Sequence, residues 1–350
     1  MKSSTLLNVA VTTASMTLTA FAFNATVEAA SLYSVTDLGT FQATRINNTG
    51  QVVGTDSNGA SLWQNGSLIH LENLGNAANT LINIDINNQG DVVFGSFLWR
   101  NGTVINLGEN FYANSINDLG IIAGSIGLGD LFSRAAKWQD GTITELNLPP
   151  NYSSRGSAIN NVGQIGVNSN VTVQNSTEFH TGIWQNEVTT ELDLTLLIDL
   201  NNSGRAIGNY TDSNGFEQAH TWYNGKTTDL GSLGGEGTWS YGLNNLDQIV
   251  GVSNTQDWVT NAFIWDKGVM ENLNNLLVNG EGWELEWATD INDNGQIIGW
   301  GRYNGVERSF LLNPMANNPD NPQEVPEPTV GFSLLAIAAL GMLSRKGDRP

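Results

Sequence analysis

One short phrase returns seven times along this chain and limits what the chain can fold into. Its fullest copy is Ile46-Asn47-Asn48-Thr49-Gly50-Gln51-Val52-Val53-Gly54. Later copies begin at Ile86, Ile116, Ile159, Leu200, Leu243 and Ile291, at steps of 40, 30, 43, 41, 43 and 48 residues. A period of about 41 residues means that one supersecondary unit is copied, and that neighbouring units must cover each other's apolar faces.

Each copy carries a second marker. Trp63, Trp99, Trp138, Trp184, Trp222 and Trp265 follow the leading Ile or Leu, with Leu312 in that place in the seventh copy. Behind most of them stands Asn-Gly or Asp-Gly, as at Asn65-Gly66, Asn101-Gly102, Asp140-Gly141 and Asn224-Gly225. Such pairs supply the positive backbone angles of a two-residue hairpin turn. The Asn-Asn-x-Gly phrase reads as a further turn, since Asn and Gly tolerate the left-handed region.

Between turns the apolar residues alternate, as at Trp239, Tyr241 and Leu243, or Trp283, Leu285, Trp287 and Ile291. That period of two marks strands, and it assigns Trp239, Trp283 and Trp287 to buried faces. Four antiparallel strands in about 40 residues make the blade of a β-propeller. The glycine recurring after the phrase (Gly54, Gly95, Gly124, Gly208, Gly251, Gly299) predicts close backbone approach in the second strand.

The ends of the repeat region predict how the ring closes. The seventh copy lacks a fourth strand, because Phe310-Leu311-Leu312-Asn313 runs straight into Pro314. The missing piece stands ahead of the first copy. There Thr36-Asp37-Leu38-Gly39 matches Thr228-Asp229-Leu230-Gly231, the fourth strand of the fifth copy. Pairing these ends would hide two sheet edges that invite aggregation. The expected fold is all-β: a seven-bladed propeller over residues 31–313, closed by the N-terminal strand in the last blade.

The flanks differ from this body. Lys2, an apolar stretch over Leu6–Phe23 and small residues at Ala29-Ala30 read as a secretory signal peptide over residues 1–30. Residues 314–328 are a Pro-rich linker, extended in character. Residues 329–350 follow as a hydrophobic segment ending in Arg345-Lys346, with an apolar run over Val330–Leu343 that is short for a ~30 Å hydrocarbon core.

Charge and composition remove several function classes. The net charge is -20, with 34 acidic against 14 basic residues, which excludes nucleic acid as a partner. There is no cysteine, so thiolate metal sites and cysteine nucleophiles are excluded. His70, His180 and His220 stand in different copies without a nucleophile motif.

The repeat resembles the HAF family of extracellular repeats, whose phrase is matched by Asp229-Leu230-Gly231-Ser232-Leu233-Gly234-Gly235 and Asn261-Ala262-Phe263-Ile264-Trp265. The His-Ala-Phe triplet itself is absent, the second copy is shortened, and Asp247 replaces a turn glycine. The tail is similar to a PEP-CTERM sorting signal, with Pro326-Glu327-Pro328 ahead of the apolar run and Arg345-Lys346 behind it. These resemblances imply an exported protein of a Gram-negative-type envelope, processed by an exosortase after transient membrane insertion of its C-terminal segment. They bring no catalytic residues.

Ligands of propellers are expected at the variable second loops, where function concentrates on a rigid scaffold. Here those loops carry Tyr210, Phe216, Trp258 and Tyr303, whose rings can stack on sugars of an extracellular polysaccharide or matrix. They also carry Asp56, Asp130, Glu178, Asp212, Asp257 and Glu307. A ring of such oxygen ligands suits calcium, the one cofactor to consider; the first, second, fourth and fifth of these are the candidate metal ligands. Asp290-Ile291-Asn292-Asp293-Asn294-Gly295 imitates the opening of an EF-hand but has Gly301 in place of the required Glu. The expected function is therefore an exported binding or structural module. The alternative is a glycan-active lyase or hydrolase working at the propeller mouth.

Overall fold

The computed structural model describes residues 32–71, 83–129, 132–174 and 176–315. Asp130, the signal peptide, most of the linker and the whole sorting segment with Pro326, Glu327, Pro328, Arg345 and Lys346 lie outside them.

The described chain forms seven four-stranded antiparallel sheets. In blade one the strands run Gln42–Ile46, Val52–Asp56, Gly59–Gln64 and Ser67–His70, from the axis outwards. The innermost strands of blades two to seven are Ile84–Ile86, Phe111–Ile116, Ser153–Ile159, Leu196–Leu200, Thr238–Leu243 and Trp283–Ile291. The third and outermost strands are joined by the expected tight turns. Asn65, Asn101, Asp140 and Asn224 have φ of 51°, 50°, 49° and 50°, and the glycine behind each is also positive.

Blade seven closes the ring as the sequence predicts. Its own chain supplies Trp283–Ile291, Ile297–Tyr303 and Val306–Pro314, and Tyr33–Gly39 pairs along the third of these as the outermost strand. Val35 stands opposite Leu312 and Asp37 opposite Phe310. Tyr33 is buried among Leu273, Leu276 and Leu285, and its carbonyl accepts from the Val278 amide at 2.9 Å.

The hydrophobic core is divided into seven clusters, each lying between two consecutive blades. Val53, Ala60 and Leu62 of blade one meet Ile84, Ile86, Val92 and Phe94 of blade two. At the seam, Ile298 and Leu311 of blade seven meet Phe41, Ala43, Ile46 and Val52 of blade one. Burial at about 25 cal/mol per Å² of apolar surface thus rewards only a complete ring, since a single blade has two uncovered faces. The marker tryptophans pack into these clusters: Trp138 and Trp184 are buried in theirs, while Trp63, Trp99, Trp222 and Trp265 lie half-buried against theirs.

The glycine of the second strand has the role its recurrence implies. A Cβ on Gly54, Gly124, Gly208, Gly251 or Gly299 would overlap the carbonyl oxygen of Gln42, Tyr112, Leu196, Trp239 or Trp287 on the innermost strand. Just past this point the innermost strands of blades one, three, four, five, six and seven shift register, which brings the two backbones close. Blade four reverses the pair, setting Gly156 opposite Val167. Gly95 is a correction. It stands just past the second strand of blade two (Val92–Phe94), in the turn that follows, with φ 58°.

Two tryptophans also depart from expectation. Trp283 packs against the blade-seven cluster, edge-on to Phe310. Trp239 and Trp287 stay half-buried, and Trp287 stacks between Tyr241 and Trp300 at centroid distances of 5.7 and 5.0 Å. Alternation distinguishes the two faces of a strand. It does not tell a face packed in a core from one near the axis.

Candidate functional site

The repeated phrase builds two closed rings of hydrogen bonds around one end of the central channel. The first Asn of each copy is buried and uses both ends of its amide. Its Oδ1 accepts from the amides two and four residues on, closing its own turn, as Asn47 does for Thr49 and Gln51 at 3.1 and 3.0 Å. Its Nδ2 donates to the backbone carbonyl of the same Asn in the next blade. The series runs Asn47 to Asn87, Asn117, Asn160, Asn201, Asn244 and Asn292, and Asn292 returns to Asn47.

The second residue of the phrase forms the other ring. The backbone amides of Asn48, Asn88, Asp118, Asn161, Asn202, Asn245 and Asp293 each donate to Oδ1 of the next in the series, and Asp293 donates back to Asn48, all at 2.8 Å. The two Asp members take extra donors: Asp118 Oδ2 accepts from Asn88 and Asn161, and Asp293 Oδ2 from Asn48 and Asn245. Each such bond is worth about 1 kcal/mol net. Left-handed backbone in the turn is confined to its fourth position, Gly50 (φ 78°) through Gly295 (73°), with Asp247 taking it at 66°. The expectation that Asn supplies that geometry is corrected: Asn joins neighbouring blades.

One residue before the leading Ile or Leu, the innermost strands place Arg45, Asp85, Ser115, Ala158, Asp199 and Asp290 around a polar cavity of about 170 Å³. Arg45 and the three aspartates lie deep in the ring yet keep some surface open to that cavity. Each carboxylate bridges a blade junction. Asp85 accepts from the Ile116 amide, Asp199 from Leu243 and Asp290 from Ile46, and each also accepts from its own following amide. Burial pushes the carboxyl of Asp290 up to about 7 and that of Asp199 up to about 6, and raises Asp85 as well. The Arg45 cation opposes the rise in all three without cancelling it. Burial also disfavours the Arg45 cation, but Asp290, Asp85 and Asp199 together outweigh that and hold it protonated. Sequence reasoning missed this group. The signal was there in the column preceding the leading Ile or Leu.

The polar groups at this end are therefore occupied in holding the ring together. The opposite end, where second and third strands join, carries the residues singled out from sequence. Tyr210, Trp258 and Tyr303 are exposed, and Phe216 is half-buried. Phe216 of blade five and Trp258 of blade six meet with ring centroids 6.1 Å apart. Tyr210 lies edge-on to His220, and Tyr303 packs on Trp283 at 5.2 Å.

Trp258 occupies a place built for glycine. In blade five, the Asp212 amide donates to the Phe216 carbonyl and that of Gly215 to the Asp212 carbonyl, with Gly215 at φ 87°. Blade six repeats this: the Thr255 amide donates to Val259 and the Trp258 amide to Thr255, with Trp258 at φ 60°. A bulky residue held there costs about 1–3 kcal/mol, and Trp258 is 61% exposed.

The acidic loop residues are not gathered. Asp56 Oδ1 accepts from the Asn58 amide, and Asp212 Oδ1 caps its own turn through Asn214 and Phe216. Asp257, Glu178 and Glu307 are exposed in separate hairpins. Among the described residues no group of three or more His, Asp or Glu side chains is arranged to hold a metal ion. The EF-hand imitation is likewise occupied, with Asn292 Oδ1 accepting from Asn294 and Gln296.

One Ser-His-Asp contact does occur. Ser61 Oγ lies 3.0 Å from His70 Nδ1, and Asp56 Oδ2 lies 3.2 Å from Ser61 Oγ and 3.4 Å from the same Nδ1. A nucleophile relay needs serine and carboxylate on opposite ring nitrogens. Here both meet one nitrogen, and Ser61 is fully buried, so no substrate reaches it.

No family model matches the chain, and no curated protein matches it in sequence. In three dimensions it is similar to TolB from Acinetobacter baumannii, at 8% identity and TM-score 0.41, covering 79% of this chain and 64% of that one. It is also similar to a puromycin-hydrolyzing peptidase of Mycobacterium tuberculosis (10% identity, TM-score 0.47, 75% and 49% covered). A third is the Pyrococcus horikoshii acylaminoacyl peptidase (9% identity, TM-score 0.47, 80% and 53% covered). The chain thus spans between about half and two thirds of the length of these three proteins.

Proposed function

We propose that this protein is an exported envelope or extracellular binding module that takes up polysaccharide on the face formed by the second hairpins of blades five to seven. The observation that carries the reading is Trp258, held at φ 60° where blade five uses Gly215, with its ring exposed against Phe216. Strain of this kind persists where the surroundings enforce it, and it concentrates at ligand contacts. An exposed aromatic face suits the apolar face of a pyranose ring, and Tyr210 and Tyr303 are exposed at the same end of the neighbouring blades.

The signal over residues 1–30 and the tail with Pro326-Glu327-Pro328 support export and exosortase processing, with the apolar run over Val330–Leu343 inserted in the membrane only transiently. Screening the full chain on a glycan array, with and without calcium, tests the reading. Binding that is lost in Trp258→Gly supports it. Absence of binding together with measurable breakdown of a polymer would replace it with a glycan-active enzyme.

A further inference from the structure

Only 14 residues of this chain are Lys or Arg, against 34 acids, so an arginine left without a partner stands out. Arg100, Arg134, Arg205, Arg302 and Arg308 all pair with carboxylates. Arg155 makes no ion pair, side-chain hydrogen bond or ring contact among the described residues, and it is exposed. It lies on the innermost strand of blade four and lines a second cavity, of about 270 Å³.

The strand registers say what shares its surroundings. Arg155 pairs with Asn168, so it lies on the same sheet face as Asn168 and as Asn170 two residues further on. Asn170 pairs in turn with Phe179 on the third strand. Asn168 is buried and used up, since its amide group holds the amide and carbonyl of Leu197 in blade five. The Asn170 side chain makes no such bond among the described residues, and Phe179 is 64% exposed. An unpaired guanidinium, a free amide and an exposed ring therefore share one face. Along the strand they are offset by two residues, about 6.6 Å, which is close to the width of one sugar ring. Four serines (Ser133, Ser153, Ser154 and Ser169), Thr195 and Leu196 complete the lining, and none of the lining residues is a carboxylate.

We propose that this cavity binds a carboxylate-bearing sugar of an acidic polysaccharide, with Arg155 taking the carboxylate, Asn170 a ring hydroxyl and Phe179 the ring face. A guanidinium fork matches a carboxylate in two parallel hydrogen bonds, which a neutral sugar cannot offer. The proposal rests on the polysaccharide reading above and makes a sharper demand of it. A protein of net charge -20 repels a polyanion at long range, so any preference for one must come from a local cation.

Titration calorimetry of the full chain with polygalacturonate and with dextran tests this. The wild type is expected to bind polygalacturonate about tenfold or more tightly than dextran. Arg155→Gln is expected to abolish that preference with its unfolding midpoint unchanged, since the Arg155 side chain makes no bond to the fold. Arg155→Lys is expected to retain part of it. Preference for the acidic polymer surviving in Arg155→Gln, or missing in the wild type, overturns the proposal. Dextran binding that is lost in Trp258→Gly would then leave the polysaccharide reading standing alone, whereas failure of both polymers to bind would remove both.

Discussion

Asn292 Nδ2 donates to the Asn47 carbonyl at 2.9 Å, joining two residues 245 positions apart in sequence. It is the seventh member of a series whose other six bonds join consecutive blades, so it marks the ring as closed at the channel as well as at the rim. Replacing Asn292 by Ala removes this bond, a donation to Gln296 Oε1 and the two turn-closing acceptances from Asn294 and Gln296. A loss of about 2–3 kcal/mol is expected in urea unfolding. Asn292→Asp keeps the two acceptances but sets a buried carboxylate against the Asn47 carbonyl and Gln296 Oε1, so it should be no more stable than the alanine variant.

Gly251 lies under the Trp239 carbonyl and against the Phe263 ring. In Gly251→Ala the new methyl has backbone on one side and a buried ring on the other, and neither can retreat. Destabilisation of about 3 kcal/mol or more is expected, measured by thermal unfolding.

Stability should fall as pH rises through the acid range, opposite to ordinary acid denaturation. The folded-state pKa of Asp290 is raised to about 7 and that of Asp199 to about 6, from 3.8. Between those values and the unfolded pKa the native ring holds the extra protons. The resulting stabilisation is fully present below about pH 4 and is lost as pH passes 6 to 7, at no more than about 1.4 kcal/mol per pH unit per proton. Asp290→Asn should flatten the slope measured between pH 5 and 7. Arg45, Asp85 and Asp199, the charged groups facing it, are unchanged in that variant.

Trp258→Gly should leave the fold as stable as the wild type or up to about 1 kcal/mol more so, because glycine takes φ 60° without strain. A drop in the unfolding midpoint would mean that the indole is a packing element instead of an exposed contact.

The architecture was readable because seven copies of one phrase report the same turn, and because the strand missing after Phe310 was found ahead of Gln42. Reasons inside the phrase were harder to read. Asn in a turn has a sufficient local explanation, so nothing within one copy reveals that Asn47 reaches Asn87 in the next blade. The channel group was hidden differently. Arg45, Asp85, Asp199 and Asp290 are scattered in sequence, and only the symmetry of the ring brings one column of the repeat to one place. Arg155 gave no sequence signal at all. Its significance comes from a side chain that lacks a partner in the fold.

The closed ring underlies each of these expectations, and the absence of cysteine in the chain allows a direct test of it. Ser34 and Asn313 stand opposite each other where the first strand meets the last blade, and neither is buried. Opposed residues of an antiparallel pair lie about 4.5–5.5 Å apart at Cα, within reach of a disulfide. Mild oxidation of the Ser34→Cys/Asn313→Cys variant should give an intramolecular disulfide in the monomer and raise its unfolding midpoint. Two thiols that stay free, or that link only between molecules, would contradict the ring.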